Sequence, residues 1–308
     1  MIVGVPEFVE LHDTATGWLN LAWEIAIKEV EGFQDASSLF DEIEEEHGQS
    51  KADEEATKFW NAARYKLNNS ISLLQQSMEI ELKARIAKVS PYLLIAGDSQ
   101  SWPKIDKKMG GVHFSDFRTI DSVHLCRVHD IVCEKPLSPD FSQFYSNVRK
   151  ARNKIVHLHA GNVKAESGAV LQSILLAHKH LYSGKWMDFR RLYMLTEQNK
   201  GPRFGGYEED YTNDNLNYEF EAARWELKPR YLREFFGYDV RKQALTCFNC
   251  LNERTEWCDR DWNFAQRHPE GGVTCVVCFR HYSDEEYKSL TSEENRELKE
   301  QRQEYNRN

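Results

Sequence analysis

The sequence predicts a mainly α-helical chain with a small β unit near its C-terminal end, and three observations lead there. Most of the first 200 residues carry apolar side chains at three- and four-residue steps, the repeat of a helix with one buried face. No stretch of those 200 residues alternates convincingly as a strand does. Two Cys-x2-Cys pairs, Cys247/Cys250 and Cys275/Cys278, then mark a compact cross-linked unit.

Residues 13 to 47 read as the first long helix, with Asp13, Thr14 or Thr16 as cap candidates. Trp18, Leu21, Ala22, Ile25, Ala26, Val30 and Phe33 form its apolar face. It runs into the acidic stretch 41–46, which is unfavourable at a helix C-terminus; a solvated face is preferred there over a carboxylate metal site with His47. Residues 50 to 89 form the second helix, with Trp60, Leu67 and Leu74 along a seven-residue seam, and Pro91 stops it. A third helix is expected from Thr119 to Cys133. Cys126 and Cys133 read as small buried hydrophobes rather than ligands, and His124 and His129 as surface or satisfied core groups. Further helices are expected over 164–183, carrying His178 and His180, and over 185–199. Long helices joined by modest loops make an all-α bundle.

With 308 residues, 41% hydrophobic and 29% charged, the chain has room for two domains or one large and one small. The net charge of −9 argues against general coating of a polyanion. Its distribution is uneven: 8 basic residues face 18 acidic ones in 1–100, 16 face 9 in 101–200, and 16 face 22 in the remainder. A local phosphate or nucleic-acid site needs local positive potential, which the middle third supplies; internal pairing of the acidic and basic thirds fits the counts equally well. No apolar run is long enough to span a membrane, and the N-terminal residues are acidic, so a cytoplasmic protein is expected. Seven cysteines, an odd number with four in two pairs, agree with that and favour metal over disulfides.

The chemistry concentrates in Asn147 to Gly161. Read as a helix, the stretch buries Val148, Ala151, Ile155 and Leu158 and leaves Arg149, Asn153 and His157 on a polar face, flanked by Arg152. A histidine titrates near neutrality, so His157 suits proton transfer to or from a ribose hydroxyl. Arg152 suits charge developing on a phosphate, and Asn153 can hold the phosphate or the histidine without competing for the proton. Residues five apart on an ideal helix point about 140° apart. Either Arg152 reaches round to His157, or two copies of the helix build a shared site across a dimer axis, which is the preferred reading.

Arg152-Asn153-Lys154-Ile155-Val156-His157 resembles the R-polar-x-x-x-H signature of the HEPN superfamily. These are small all-helical domains, often metal-independent ribonucleases of toxin and antiphage systems. The resemblance implies a HEPN-like bundle in which two protomers combine arginine and histidine in one cleft. Arg152, Asn153 and His157 would be catalytic, with Arg149, Lys150 and Lys154 contacting RNA and a cyclic phosphate as product. It implies a homodimer and a neutralising or trigger protein. An ordinary amphipathic helix is the alternative to this reading, and a non-catalytic scaffold binding RNA, a nucleotide or a protein is the alternative to catalysis.

Residues 201–240 read as a linker followed by a docking helix over Glu219 to Tyr238, where Trp225, Tyr231, Phe235 and Phe236 anchor it or stack bases beside Arg224, Arg230 and Arg233; anchoring is preferred. The cysteine pairs at 247/250 and 275/278, 24 residues apart with a Gly271-Gly272 turn between them, resemble a zinc ribbon: four thiolates closing a tetrahedral structural zinc, with Cys258, His268 and His281 in reserve. The expected organisation is therefore a HEPN-like helical domain over 1–200, the linker and docking helix over 201–240, a zinc ribbon over 241–282 and a polar helical tail over 283–308.

Overall fold

Two long antiparallel helices frame the N-terminal part of the chain, α1 (Phe8–Asp35) and α3 (Gln49–Val89), with α2 (Ser37–His47) between them. Their direction is visible in the cross-helix bonds. Lys66 pairs with Glu29, Ser70 donates to the carbonyl of Ala22 at 2.6 Å, Ser77 to that of Ala15 at 2.7 Å, and Glu81 pairs with His12. Small residues make that closeness available. Ala15 and Ala22 on α1, and Ala63, Ser70, Ser77 and Ala84 on α3, recur every seven residues and are all buried.

The computed structural model describes residues 1–105, 110–157, 166–196, 209–254 and 262–292. It divides into two units, Met1–Ser183 and Gly184–Asn308. In the first, α4 (Leu125–Val132), α5 (Pro139–His157) and α6 (Ser167–Leu181) pack on the α1–α3 pair. The chain is mainly helical, and no helix among the described residues is long and apolar enough to cross a membrane.

Several expectations need correction. The first helix begins at Phe8, where the Glu7 backbone N–H donates to Glu10 at 3.2 Å, and it breaks at Ala36, so 13–47 is two helices. Of the expected apolar face Ala22, Ala26 and Val30 are buried, together with Ala15, Leu19 and Trp23, whereas Leu21 is exposed. On α3, Leu67 and Leu74 are buried as the seam requires, whereas Trp60 is half-buried in a ring cluster with Phe33 and Phe59. The helix expected from Thr119 is α4 alone, preceded by a 3-10 turn at Ser122–His124. The first 200 residues also contain a strand pair, β1 (Ile2–Val3) parallel to β2 (Val112–His113), with Gly4 at φ 63° where a Cβ would strike the His113 ring. Two residues are too few to alternate.

In the second unit, α7 (Trp186–Met194) precedes α8 (Glu209–Glu226). The expected domain limit at 200 thus lies inside this unit, because Arg190, fully buried on α7, forms a two-bonded ion pair with Glu219 of α8 at 3.0 and 2.5 Å. The docking helix also differs. α8 ends at Glu226, α9 (Pro229–Tyr231) starts on a proline, and a π turn spans Leu232–Phe236. Tyr231, Phe235 and Phe236 are buried, and Trp225 is 56% exposed. Phe220 gathers the rings of Phe236, Tyr238 and Phe264 within 5.3 Å. After α10 (Phe248–Asn252), β3 (Ala265–Arg267), β4 (Val273–Cys275) and β5 (His281–Tyr282) form an antiparallel sheet in that order. Residues 284–292 are helical; the remainder of the expected tail lies outside the described residues.

Buried histidines are expected to make the first unit acid-sensitive, His178 most of all. His178 of α6 is 3% exposed and stacked on Tyr182, and burial pulls its pKa from 6.5 to about 4. Between those values the unfolded chain binds a proton that the native state does not. Its stability contribution is complete above pH 6.5 and is lost as pH falls toward 4. His12 acts in the opposite sense, since the hydrogen bond to Glu81 raises its pKa and its contribution fades as pH rises. We expect the urea midpoint to fall between pH 6.5 and 4, with His178→Phe removing up to about 3 kcal/mol of that dependence; an identical pH slope in the variant would assign the sensitivity elsewhere.

Candidate functional site

The chain enters α5 through Ser138, whose hydroxyl accepts the Phe141 N–H at 3.1 Å, and Pro139, whose missing N–H costs nothing in a first turn. Phe141, Tyr145 and Val148 then face the core at four- and three-residue steps. The next position of that stripe is Arg152. Ala151 and Ile155 are half-buried, so the expected stripe is turned toward Arg152, and Leu158 lies outside the described residues. Burial raises the Tyr145 pKa, and its O–H donates to the Ser122 carbonyl at 3.0 Å, tying the loop before α4 to α5.

Arg149, Arg152 and Asn153 line one wall of a cleft of about 290 Å³. Trp18 of α1 and Gln75, Glu79 and Lys83 of α3 complete it, three residues at four-residue spacing on one helix row. Gln75 and Lys83 both donate to Glu79, at 3.0 and 2.8 Å, so the acid is neutralised within its own helix. Arg152 donates through Nη1 to Asn153 Oδ1 at 3.3 Å. Its Nε is sealed from solvent and has no hydrogen-bond partner among the described residues. Arg149 is half-buried and makes no ion pair among them. The cleft therefore carries two arginines and an asparagine on one wall, where an anionic group could pair with the guanidinium faces that reach the opening.

Lys150 and Lys154 are exposed and do not line the cleft. His157 closes the last turn of α5, and its side chain lies outside the described residues. The partners on α1 and α3 were not singled out in the sequence. The Gln75-Glu79-Lys83 row was legible there, but identical rows decorate solvated helices.

The second candidate is the cysteine cluster. Cys247 precedes α10 and Cys250 lies within it, while Cys275 ends β4 and Cys278 follows in the turn. The Gly271-Gly272 turn has φ of 104° and 75°, and a Cβ on Gly272 would meet the Tyr282 carbonyl. All four sulfurs lie within 4.8 Å of one another, with Cys247 to Cys278 at 3.4 Å and Cys250 to Cys275 at 3.9 Å. Four sulfurs about 2.3 Å from one tetrahedral ion stand about 3.8 Å apart, so the set fits a single metal ion. Hydrogen bonding with Cys247 pushes the Cys250 thiol up, while Cys247 is pulled down by its bond with Cys250: the four cannot all ionise without a cation. Among the described residues no other group of His, Cys, Asp or Glu is arranged to hold a metal. Cys258 lies outside the described residues, and His281 is engaged with Thr274 at 2.9 Å. Cys126 and Cys133 are half-buried, and burial raises both thiols, Cys126 to about 11.

Comparison with known proteins finds no matching family model, no similar curated protein and no similar solved structure.

Tyr282 supports the cluster from outside, with its hydroxyl 3.5 Å from Cys247 Sγ while it accepts the Asn249 N–H at 2.7 Å. We expect Cys250→Ser to abolish metal retention on a desalting column, and Tyr282→Phe to weaken metal affinity by about tenfold in a chelator competition. Equal affinity in Tyr282→Phe and wild type would remove the hydroxyl from the site. In the cleft, Arg152→Met should leave the urea midpoint unchanged or raise it, because the substitution removes a buried donor that has no partner; a loss above about 2 kcal/mol would mean that Arg152 is structural.

Proposed function

We propose that the first unit is a HEPN-type endoribonuclease working without a catalytic metal. The observation that carries this reading is the cleft wall on which Arg149, Arg152 and Asn153 stand together. In the reaction the ribose 2′-oxygen attacks the adjacent phosphorus as its proton is removed, the bond from phosphorus to the 5′-oxygen breaks, and that oxygen takes up a proton. The products are a 2′,3′-cyclic phosphate and a 5′-hydroxyl. His157 transfers protons, Arg152 stabilises the charge on the phosphorane, and Asn153 orients it. Arg149, Lys150 and Lys154 hold the flanking RNA backbone. The angle between positions 152 and 157 makes the site composite, with the histidine of a second copy facing the arginine of the first.

In the second unit we assign zinc to the cysteine cluster. Four thiolates leave no open position for water, so the ion is structural. A toxin or antiphage role, with a neutralising or trigger protein, accompanies the HEPN reading.

Purified protein in chelator, incubated with total cellular RNA, is expected to produce cuts ending in cyclic phosphate. His157→Ala and Arg152→Ala should each reduce cleavage at least about a hundredfold. Cleavage surviving in both variants would overturn the assignment; a folded wild-type dimer that binds RNA without cutting it would establish a binding module instead.

A further inference from the structure

A second cavity, of about 860 Å³, opens on the far side of α3 from the cleft. Glu79 of the cleft and Glu81 of the cavity are two residues apart, which sets them about 160° apart around the helix. Phe8 of α1 and Val89 and Val132 form apolar walls, and the volume suits a small organic molecule.

Its polar groups are placed with care. Glu81 is 2% exposed with both oxygens engaged, one by His12 at 2.7 Å and the other by Arg85 Nε at 2.9 Å. Arg85 Nη2 is held by the Leu181 carbonyl of α6, which fixes the guanidinium at the cavity wall. The charge of Glu81 is therefore already matched. At the rim, Lys88 lies over the Phe8 ring at 5.1 Å, and neither it nor Lys135 makes an ion pair among the described residues. Glu134 also lines the cavity and makes no ion pair among the described residues. His129 is 3% exposed and bonds to Asp130 through Nδ1 at 3.3 Å, leaving Nε2 without a hydrogen bond among the described residues. Burial lowers its pKa, so it enters the cavity wall as a neutral imidazole.

We propose that this cavity binds a small amphipathic anion, its phosphate or carboxylate held by Lys88 and Lys135, its apolar body against Phe8, Val89 and Val132, and a polar atom on His129 Nε2. The inference does not depend on RNA cleavage. The arrangement of apolar walls with few convergent polar groups is that of a ligand site, and a Glu81–Arg85 pair anchored by His12 and the Leu181 carbonyl keeps it preformed.

The probe is 8-anilinonaphthalene-1-sulfonate, an apolar aromatic body with one anionic group, titrated by fluorescence into the full-length protein. One saturable site per chain is expected. Val132→Trp, which fills the cavity, should weaken binding at least about tenfold, and the exposed Lys88→Glu about fivefold, with unchanged circular dichroism for the latter. Decanoate or adenosine monophosphate should displace the probe, which tells a carboxylate source from a phosphate one, whereas inorganic phosphate alone should not. Binding indifferent to both substitutions, or displaced equally well by decyltrimethylammonium, would overturn the proposal.

Discussion

The close approach of α1 and α3 is the constraint on which the first unit depends. Large side chains at the helix contact would hold the axes apart; alanine and serine every seven residues let them approach until a hydroxyl on one reaches a carbonyl on the other. Ser70 and Ser77 are completely buried, and both are satisfied by the backbone of α1 rather than by their own helix. That choice fixes register. Sliding α3 by one residue would leave two buried hydroxyls without acceptors, each costing about 1–3 kcal/mol. Because α3 contributes walls to both the cleft and the cavity, their geometry is inherited from this register.

The second unit solves a different problem. Its three strands have three, three and two residues, too little ladder to hold a sheet by backbone bonds alone. Two compensating devices are present: the aromatic cluster around Phe220 and the four-sulfur set that ties α10 to the β4 turn. The buried Arg190–Glu219 pair adds orientation more than net stability, since desolvating two charges offsets most of their attraction.

What the sequence disclosed follows from the range of the interaction involved. Periodicity located α3 within a residue, because its seam and its stop at Pro91 are local. On α1 it found Ala22, Ala26 and Val30 but also placed exposed Leu21 on the buried face and left out Ala15, since hydrophobicity favours a leucine where a close helix contact favours alanine. The domain limit was hidden for a related reason. α7 carries apolar residues like any bundle helix, and long-range contacts such as Arg190 with Glu219 and Arg191 with the Val277 carbonyl assign it to the C-terminal unit. The cysteine spacing was legible because two x2 knuckles already dictate how their sulfurs converge. The basic helix α5 was legible as a candidate; the Gln75-Glu79-Lys83 row was legible as a pattern, but nothing in it pointed to the cleft that α3 shares with α5.

Arg152 shows why a pattern reader would misjudge this helix. The buried stripe of α5 proceeds through Phe141, Tyr145 and Val148, and its next step demands an apolar side chain. An arginine there conflicts with local packing, leaves a donor unsatisfied among the described residues, and lowers the stability the position could otherwise supply. Lys150 and Lys154, free in solvent on the same helix, carry positive charge at almost no cost. If charge alone were needed, the exposed positions would suffice. The half-buried guanidinium of Arg152 is oriented at the cleft wall by its bond to Asn153, whereas the exposed lysines have no such constraint, so position 152 supplies direction as well as charge.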